Sequence, residues 1–204
     1  TSYDLLSADA SPEEATLDTA VDNLGIVTAT ADLASADRDF GDDPHRLNLL
    51  RRTLRAGRPD HITLIDCPPA LGLLTLNALV AADRVMVPLQ AEFLALEGLS
   101  QLLTTVREVR AGPNRALAVD GVVITMSDSR NRLSTQVETD ARDTLGPMVY
   151  DTVVPRNVRL SEAPSHGMSV LRYDPNSRGS QAYRALAQEF LSRHRKGGRH
   201  GDQT

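Results

Sequence analysis

The chain has one cysteine, Cys67, in 204 residues. That excludes an internal disulfide framework and any cysteine-cluster metal site, and it suits a reducing compartment such as the cytoplasm. Tryptophan is absent and aromatic residues make up 3% of the chain, so the core must be built from Leu, Val, Ile and Ala. The few aromatics also exclude base stacking as a way of holding nucleic acid. No run approaches the roughly 18 apolar residues that a membrane-spanning helix needs. No basic-then-apolar leader follows Thr1, so the chain reads as an internal piece of a longer protein or a processed product. Nowhere is there a Gly-x-x-x-x-Gly-Lys-Ser/Thr loop, the sequence form in which backbone N–H groups and a lysine cradle phosphates.

What is present is unevenly charged. Residues 1–43 carry 11 Asp or Glu and one Arg, whereas the rest carry 16 acids and 21 Lys or Arg, so an acidic leading segment hides a basic remainder. The basic part is the one suited to a polyanion, although an excess of this size also occurs on ordinary solvated surfaces.

Hydrophobic content of 41% supports a sizeable core, and the length suits one α/β domain. Ser11-Pro12-Glu13-Glu14 has the form of a helix start. Short strand character follows at Leu24 to Val27, and Ala31 to Phe40 can be helical. Leu47, Leu50 and Leu54 recur at helical spacing up to Gly57. A strand running to Asp66, a helix from Leu73 to Ala82 and a strand from Arg84 to Pro88 come next. A long amphipathic helix through Leu96, Leu99, Leu103 and Val106 is followed by a strand from Val119 to Thr125. Residues 131–145 read as a helix, Met148 to Val154 as a strand, and Tyr183 to Phe190 as the last helix. This alternation predicts an α/β fold with a mainly parallel, doubly wound sheet and helices on both faces, occupying residues 1–191. Residues 192–204 are polar and are expected to fray.

His61-Ile-Thr-Leu-Ile-Asp66-Cys-Pro-Pro69 is the most informative stretch. A short apolar run ending in a carboxylate reads as a buried parallel strand whose acid lies at the carboxyl edge of the sheet. Ligands bind at that edge in open α/β folds. The two prolines stop the strand. Cys67 is expected to be a small buried residue.

Three blocks in order extend this pattern: LIDCPPALGLLTLNALVAADRVMVPLQAEFLALEGLSQ at 64–101, VVITMSDSR at 122–130, and VPRNVRLSEAPSHGMSVLRY at 154–173. With these residues the chain resembles the ParA/Soj family of partition ATPases. The resemblance implies a P-loop NTPase-type fold, ATP and Mg2+ as cofactors, and an ATP-dependent homodimer. It also implies non-specific DNA binding, a ParB-type partner that stimulates hydrolysis, and a cytoplasmic, nucleoid-associated location. The family opens with a strand, a Lys-Gly-Gly-x-Gly-Lys-Thr loop and a second strand ending in Asp-x-Asp-Pro-Gln; by resemblance this chain begins just after them. No catalytic residue is therefore expected within the 204 residues, and the chain alone is expected to be inactive.

The resemblance gives roles to particular residues. Asp66 is the magnesium-side and nucleotide-side carboxylate, with a plain strand-end cap as its bland alternative. Pro155, Arg156 and Asn157 lie along the adenine, or form a simple turn. Arg130 and Arg159 are the DNA-binding arginines, each gripping phosphate through its planar fork of donors, or else solvated or ion-paired surface residues. Arg132, Arg172 and Arg178 are possible accessories. Glu92, Leu96, Glu97 and Gly98 fall at the family's dimer face. A non-catalytic DNA-binding or interaction module on the same fold is the alternative function. A membrane-bound relative of the MinD type is disfavoured, because the tail from Ser192 has no apolar face to enter lipid.

Overall fold

The computed structural model describes residues 1–55 and 61–197, with side chains through residue 194. These residues fall into two compact units, one formed by Thr1–Val85 with Leu102–Ala118 and the other by Met86–Gln101 with Val119 onward.

The first unit opens with α1 (Ser2–Ser7) and α2 (Pro12–Ala15). As the Ser-Pro-Glu-Glu pattern predicts, Ser11 Oγ accepts the Glu14 N–H at 3.2 Å and the Glu14 carboxylate accepts the Ser11 N–H at 2.8 Å. This reciprocal pair satisfies donors that a helix start leaves open. β1 (Leu17–Asp18) and β2 (Gly25–Ile26) make a short antiparallel ladder. After a 3-10 turn at Ala31–Ser35 come α3 (Ala36–Phe40), α4 (Leu49–Leu54) and α5 (Leu73–Ala81). Leu6, Ala36 and Leu49 form the core of this group, with Leu33, Phe40, Leu50 and Leu74 packed around it. Gly72 has no side chain to cap α5, so Asp37 of α3 does it, accepting the Leu73 N–H at 3.3 Å. Buried Asn77 donates to the carbonyls of Arg46 (2.7 Å) and Leu73 (3.0 Å), tying α5 to the approach of α4. Gly57, the expected end of α4, lies outside the described residues.

One expectation fails here. Residues 61–66 form neither helix nor strand, join no ladder among the described residues, and are not buried. Ile62 is 69% and Leu64 86% exposed. An apolar run becomes an interior strand only when neighbours pair with both of its edges. No described strand pairs with this one. Cys67 is likewise exposed rather than buried.

β3 (Arg84–Gln90), α6 (Phe93–Ala111) and β4 (Ala118–Thr125) have residues in both units. The Ala118 N–H donates to Asp83 O and the Ala91 N–H to Thr125 O, both at 3.0 Å. The numbering rises together on the two strands, so β3 and β4 run parallel. Gly121 to Ile124 are buried in succession, the signature of a strand covered on both faces.

The second unit continues with α7 (Arg132–Leu145), a 3-10 turn at Gly146–Met148 and α8 (Val158–Glu162). A further 3-10 turn at Ala163–His166 leads to α9 (Val170–Tyr173) and α10 (Arg178–Gly197). Val123, Tyr150 and Val154 are its buried core, joined by Met86, Leu160, Ala182, Leu186 and Phe190. A Cβ at Gly121 would lie 2.7 Å from the Tyr150 ring and from Met148 O, so glycine is what lets the tyrosine pack flat on β4.

The strand expected at Met148 to Val154 is interrupted. Parallel bridges join Val122 to Val149 and Ser127 to Pro155. Between them, Tyr150 N–H bonds Val122 O at 2.8 Å and Val154 N–H bonds Ile124 O at 2.9 Å. Two residues of β4 thus face four of the neighbouring segment, and the surplus loops out. Its N–H groups are taken by Glu189 of α10, which accepts from Asp151 and Thr152 at 2.9 Å each. Arg142 of α7 donates to Tyr150 O at 3.1 Å. α10 continues past Ser192 to Gly197, where the sequence suggested a polar tail; residues 198–204 lie outside the described residues.

Candidate functional site at the carboxyl edge of the parallel strands

Where β4 and the segment from Val149 to Pro155 end, their loops enclose a cavity of about 460 Å³. It is lined by Ser127, Asp128, Ser129, Arg130, Val153, Pro155, Arg156 and Arg178. This is the edge at which open α/β sheets hold ligands. The strand ladder fixes its walls. Ser127 N–H bonds Val154 O at 3.2 Å, and Arg156 N–H bonds Ser127 O at 2.8 Å. The Asp128 N–H is held by Ser134 Oγ at 3.1 Å.

Arg130 stands on the rim, its side chain 89% exposed. Its Nε and Nη2 donate to the two oxygens of Asp128 at 3.0 Å each. The bidentate Arg130 pairing, its backbone N–H and the nearby Arg156 charge hold the Asp128 carboxyl down at about 2. Arg156 and Arg178 are exposed and make no ion pair among the described residues.

Arg178 opens α10, and Ser177 caps that helix by accepting the Ser180 N–H at 3.2 Å. α10 reaches the cavity because Gly179 has no Cβ. One placed there would lie 2.7 Å from the Leu160 side chain of α8.

Arg130, expected on DNA, and Pro155 and Arg156, expected along the adenine, come together at one cavity. Asn157 follows directly, but its side chain caps α8, with Oδ1 accepting the Arg159 N–H at 2.9 Å. Arg159 lies on α8 and does not line the cavity. It is paired with Glu162 at 2.7 Å and Asp174 at 3.4 Å. The Tyr173 hydroxyl also donates to Glu162 (3.3 Å), and His166 stacks on the Tyr173 ring at 4.8 Å. The Ser161 to Gly167 motif therefore folds into a compact turn beside Arg159.

Asp66 belongs to the first unit and is exposed, outside any helix or strand. The Thr75 hydroxyl donates to Ala70 O at 2.6 Å, fixing the turn after the prolines. Among the described residues no group of three or more His, Cys, Asp or Glu could hold a metal. A lone carboxylate fits magnesium only as one oxygen donor beside phosphate oxygens.

Arg178 was named from the sequence only as a possible accessory, and Ser127, Asp128 and Ser129 were legible only as part of VVITMSDSR. The Gly179–Leu160 approach that brings Arg178 in is tertiary and leaves no local signal.

A family model described as an AAA domain matches residues 1–119. The chromosome partitioning protein ParA of Caulobacter vibrioides is 50% identical over 198 residues, covering 96% of this chain and 74% of that protein. The sporulation initiation inhibitor protein Soj of Bacillus subtilis is 47% identical over 191 residues, covering 93% of this chain and 76% of that protein. Among solved structures, cobyrinic acid a,c-diamide synthase of Mycobacterium smegmatis with bound ATP analog and magnesium superposes with a TM-score of 0.82 at 34% identity, covering 98% of this chain and 74% of that one. The cell division ATPase MinD of Pyrococcus furiosus shares the fold, with a TM-score of 0.71 at 22% identity over 94% of this chain and 75% of that one. The chain belongs to the ParA/Soj family of chromosome-partitioning ATPases.

Proposed function

We propose that this chain is the DNA-binding and nucleotide-edge portion of a partition ATPase, acting on DNA without regard to sequence. The observation that carries the reading is the convergence of Arg130, Arg156 and Arg178 on one cavity at the carboxyl edge of parallel strands. Guanidinium groups on polar loops, with almost no aromatics nearby, suit phosphate oxygens rather than bases. Arg130 and Arg159 contact the DNA backbone. Asp66 supplies one oxygen donor to magnesium alongside the phosphates of ATP, and Pro155, Arg156 and Asn157 border the adenine. ATP closes a homodimer, for which exposed Phe93 (68%) and Leu94 (76%), close to Glu92, Glu97 and Gly98, offer apolar surface. A ParB-type partner then stimulates hydrolysis, in the cytoplasm and at the nucleoid.

These 204 residues carry no phosphate loop, so we expect them to release no phosphate from MgATP above background. They do bind duplex DNA, and they bind two duplexes of unrelated sequence with equal affinity. Phosphate-release assays and fluorescence anisotropy read both. Magnesium-dependent turnover lost in Asp66→Ala would contradict the first expectation. A strong preference between the duplexes would contradict the second. The alternative, a purely non-catalytic module, shares the DNA result. It would gain if added phosphate-loop sequence never restored turnover.

A further inference from the structure

We infer that Glu162 and Asp174 are built-in competitors of DNA for Arg159: they occupy donors that a phosphodiester would otherwise take, and so set how tightly the chain holds the duplex. This rests on the reading of the chain as a DNA-binding protein that meets phosphate through Arg159, and it gives the Ser161 to Gly167 turn a task.

Two carboxylates stand around one guanidinium. Arg159 Nη1 lies 2.7 Å from Glu162 and Nε 3.4 Å from Asp174, so these three groups together carry a net negative charge, the wrong sign for a polyanion to approach. The hydrogen bond from Arg159 holds the Glu162 carboxyl below its usual 4.5, which keeps it ionised at neutral pH. The acids are the fixed members of the group. The Tyr173 hydroxyl donates to Glu162 at 3.3 Å, and the Tyr173 ring is itself stacked on His166. Gly167, at φ 62°, turns the chain back, and the Met168 N–H closes the turn on Ala163 O at 3.2 Å. Asp174 follows α9, and its carbonyl accepts from Ser180 Oγ at 2.6 Å and from the Ser177 N–H at 3.2 Å, which ties it to the start of α10. Arg159 is the member able to swing. Its long side chain is half exposed, and an exposed ion pair contributes little stability, so a change of partner costs little. A phosphate offers the same kind of acceptor as the carboxylates, an oxyanion within reach of the planar fork. DNA therefore gains Arg159 by exchange with acids that stay in place.

The test is the affinity of the 204-residue chain for labelled duplex DNA at two salt concentrations. Glu162→Gln keeps the shape of the side chain and an acceptor for Tyr173 while removing the charge, and Asp174→Asn does the same at the second acid. Each variant should bind about threefold tighter at about 50 mM salt, the effect of removing one like charge about 6 Å from a phosphate in water, and the gain should shrink at about 200 mM. Asp143→Asn, at an exposed position near the end of α7, should change the affinity far less. Arg159→Ala should weaken binding. Thermal unfolding checks that each variant folds like the parent; where an amide variant does not, Glu162→Ala or Asp174→Ala replaces it. Weaker binding by the amide variants would mean that the acids hold Arg159 toward DNA, and unchanged binding would mean that they do not compete for it. Either result overturns the inference and leaves the DNA reading standing. A gain matched by Asp143→Asn would come from net charge alone, with the same consequence. An Arg159→Ala variant with the parent's affinity would show that Arg159 meets no phosphate, and the inference would fall while DNA binding by the chain stands. A parent chain that binds no DNA overturns both.

Discussion

Changing Arg130 and Arg159 together to alanine weakens binding to duplex DNA about 100-fold at 50 mM salt and about 8-fold at 200 mM. Each phosphate contact contributes about 0.9 to the slope of log affinity against log salt, so losing two contacts has its largest effect where salt is lowest. Both arginines also neutralise acids that remain behind: Asp128 beside Arg130, and Glu162 and Asp174 beside Arg159. In the double variant those carboxylates face the DNA unscreened, which deepens the loss. Fluorescence anisotropy at the two salt concentrations measures it. An affinity unchanged at both would show that these arginines are ordinary ion-paired surface residues.

Removing Glu189 strikes the fold instead. Its carboxylate holds the looped-out Asp151 and Thr152 N–H groups at 2.9 Å each and Arg193 Nη2 at 2.7 Å. Arg193 in turn lies 3.8 Å above the ring of Tyr150, whose hydroxyl donates to Asp120. Glu189→Ala leaves two backbone donors without their acceptor and removes the carboxylate from Arg193, which keeps only Val149 O at 3.1 Å. We expect a loss of about 2–4 kcal/mol in urea unfolding at neutral pH. The effect depends on pH in a defined direction. Burial pushes the Glu189 carboxyl up, but donors from Thr152, Asp151 and Arg193 outweigh it, and the net shift is downward from 4.5. A carboxyl lowered by folding stabilises fully above its unfolded value and loses that contribution as pH falls through the folded one. The gap between parent and Glu189→Ala should therefore be full at neutral pH and should close as pH drops below 4.5. A gap of equal size on both sides would mean that the carboxylate charge plays no part.

The elements that could be read from the sequence were those set by local rules. The Ser11–Glu14 capping box, the apolar stripes of α5, α6 and α7, and the run of β4 all stand where periodicity and punctuation placed them. That the VVITMSDSR and VPRN stretches bring Arg130, Pro155 and Arg156 to one cavity is a tertiary fact that neither stretch states alone. What could not be read depends on partners distant in the chain. The apolar run at 61–66 has a strand's composition, but a strand exists only with a ladder. The interruption after Val149 is made by Glu189, 38 residues beyond Asp151, and no pattern around Asp151 announces it. The Arg159–Glu162 pair lies at i,i+3 spacing within the VRLSE stretch, whereas nothing in that stretch announces that Asp174 also reaches Arg159.

The most direct test of phosphate binding at this edge is the salt slope of the unaltered 204-residue chain on duplex DNA, with 50 and 200 mM salt as its end points. Two guanidinium groups on phosphates (Arg130 and Arg159) give a slope of about −1.8. A slope near zero would mean that the basic edge does not meet the backbone of DNA at all.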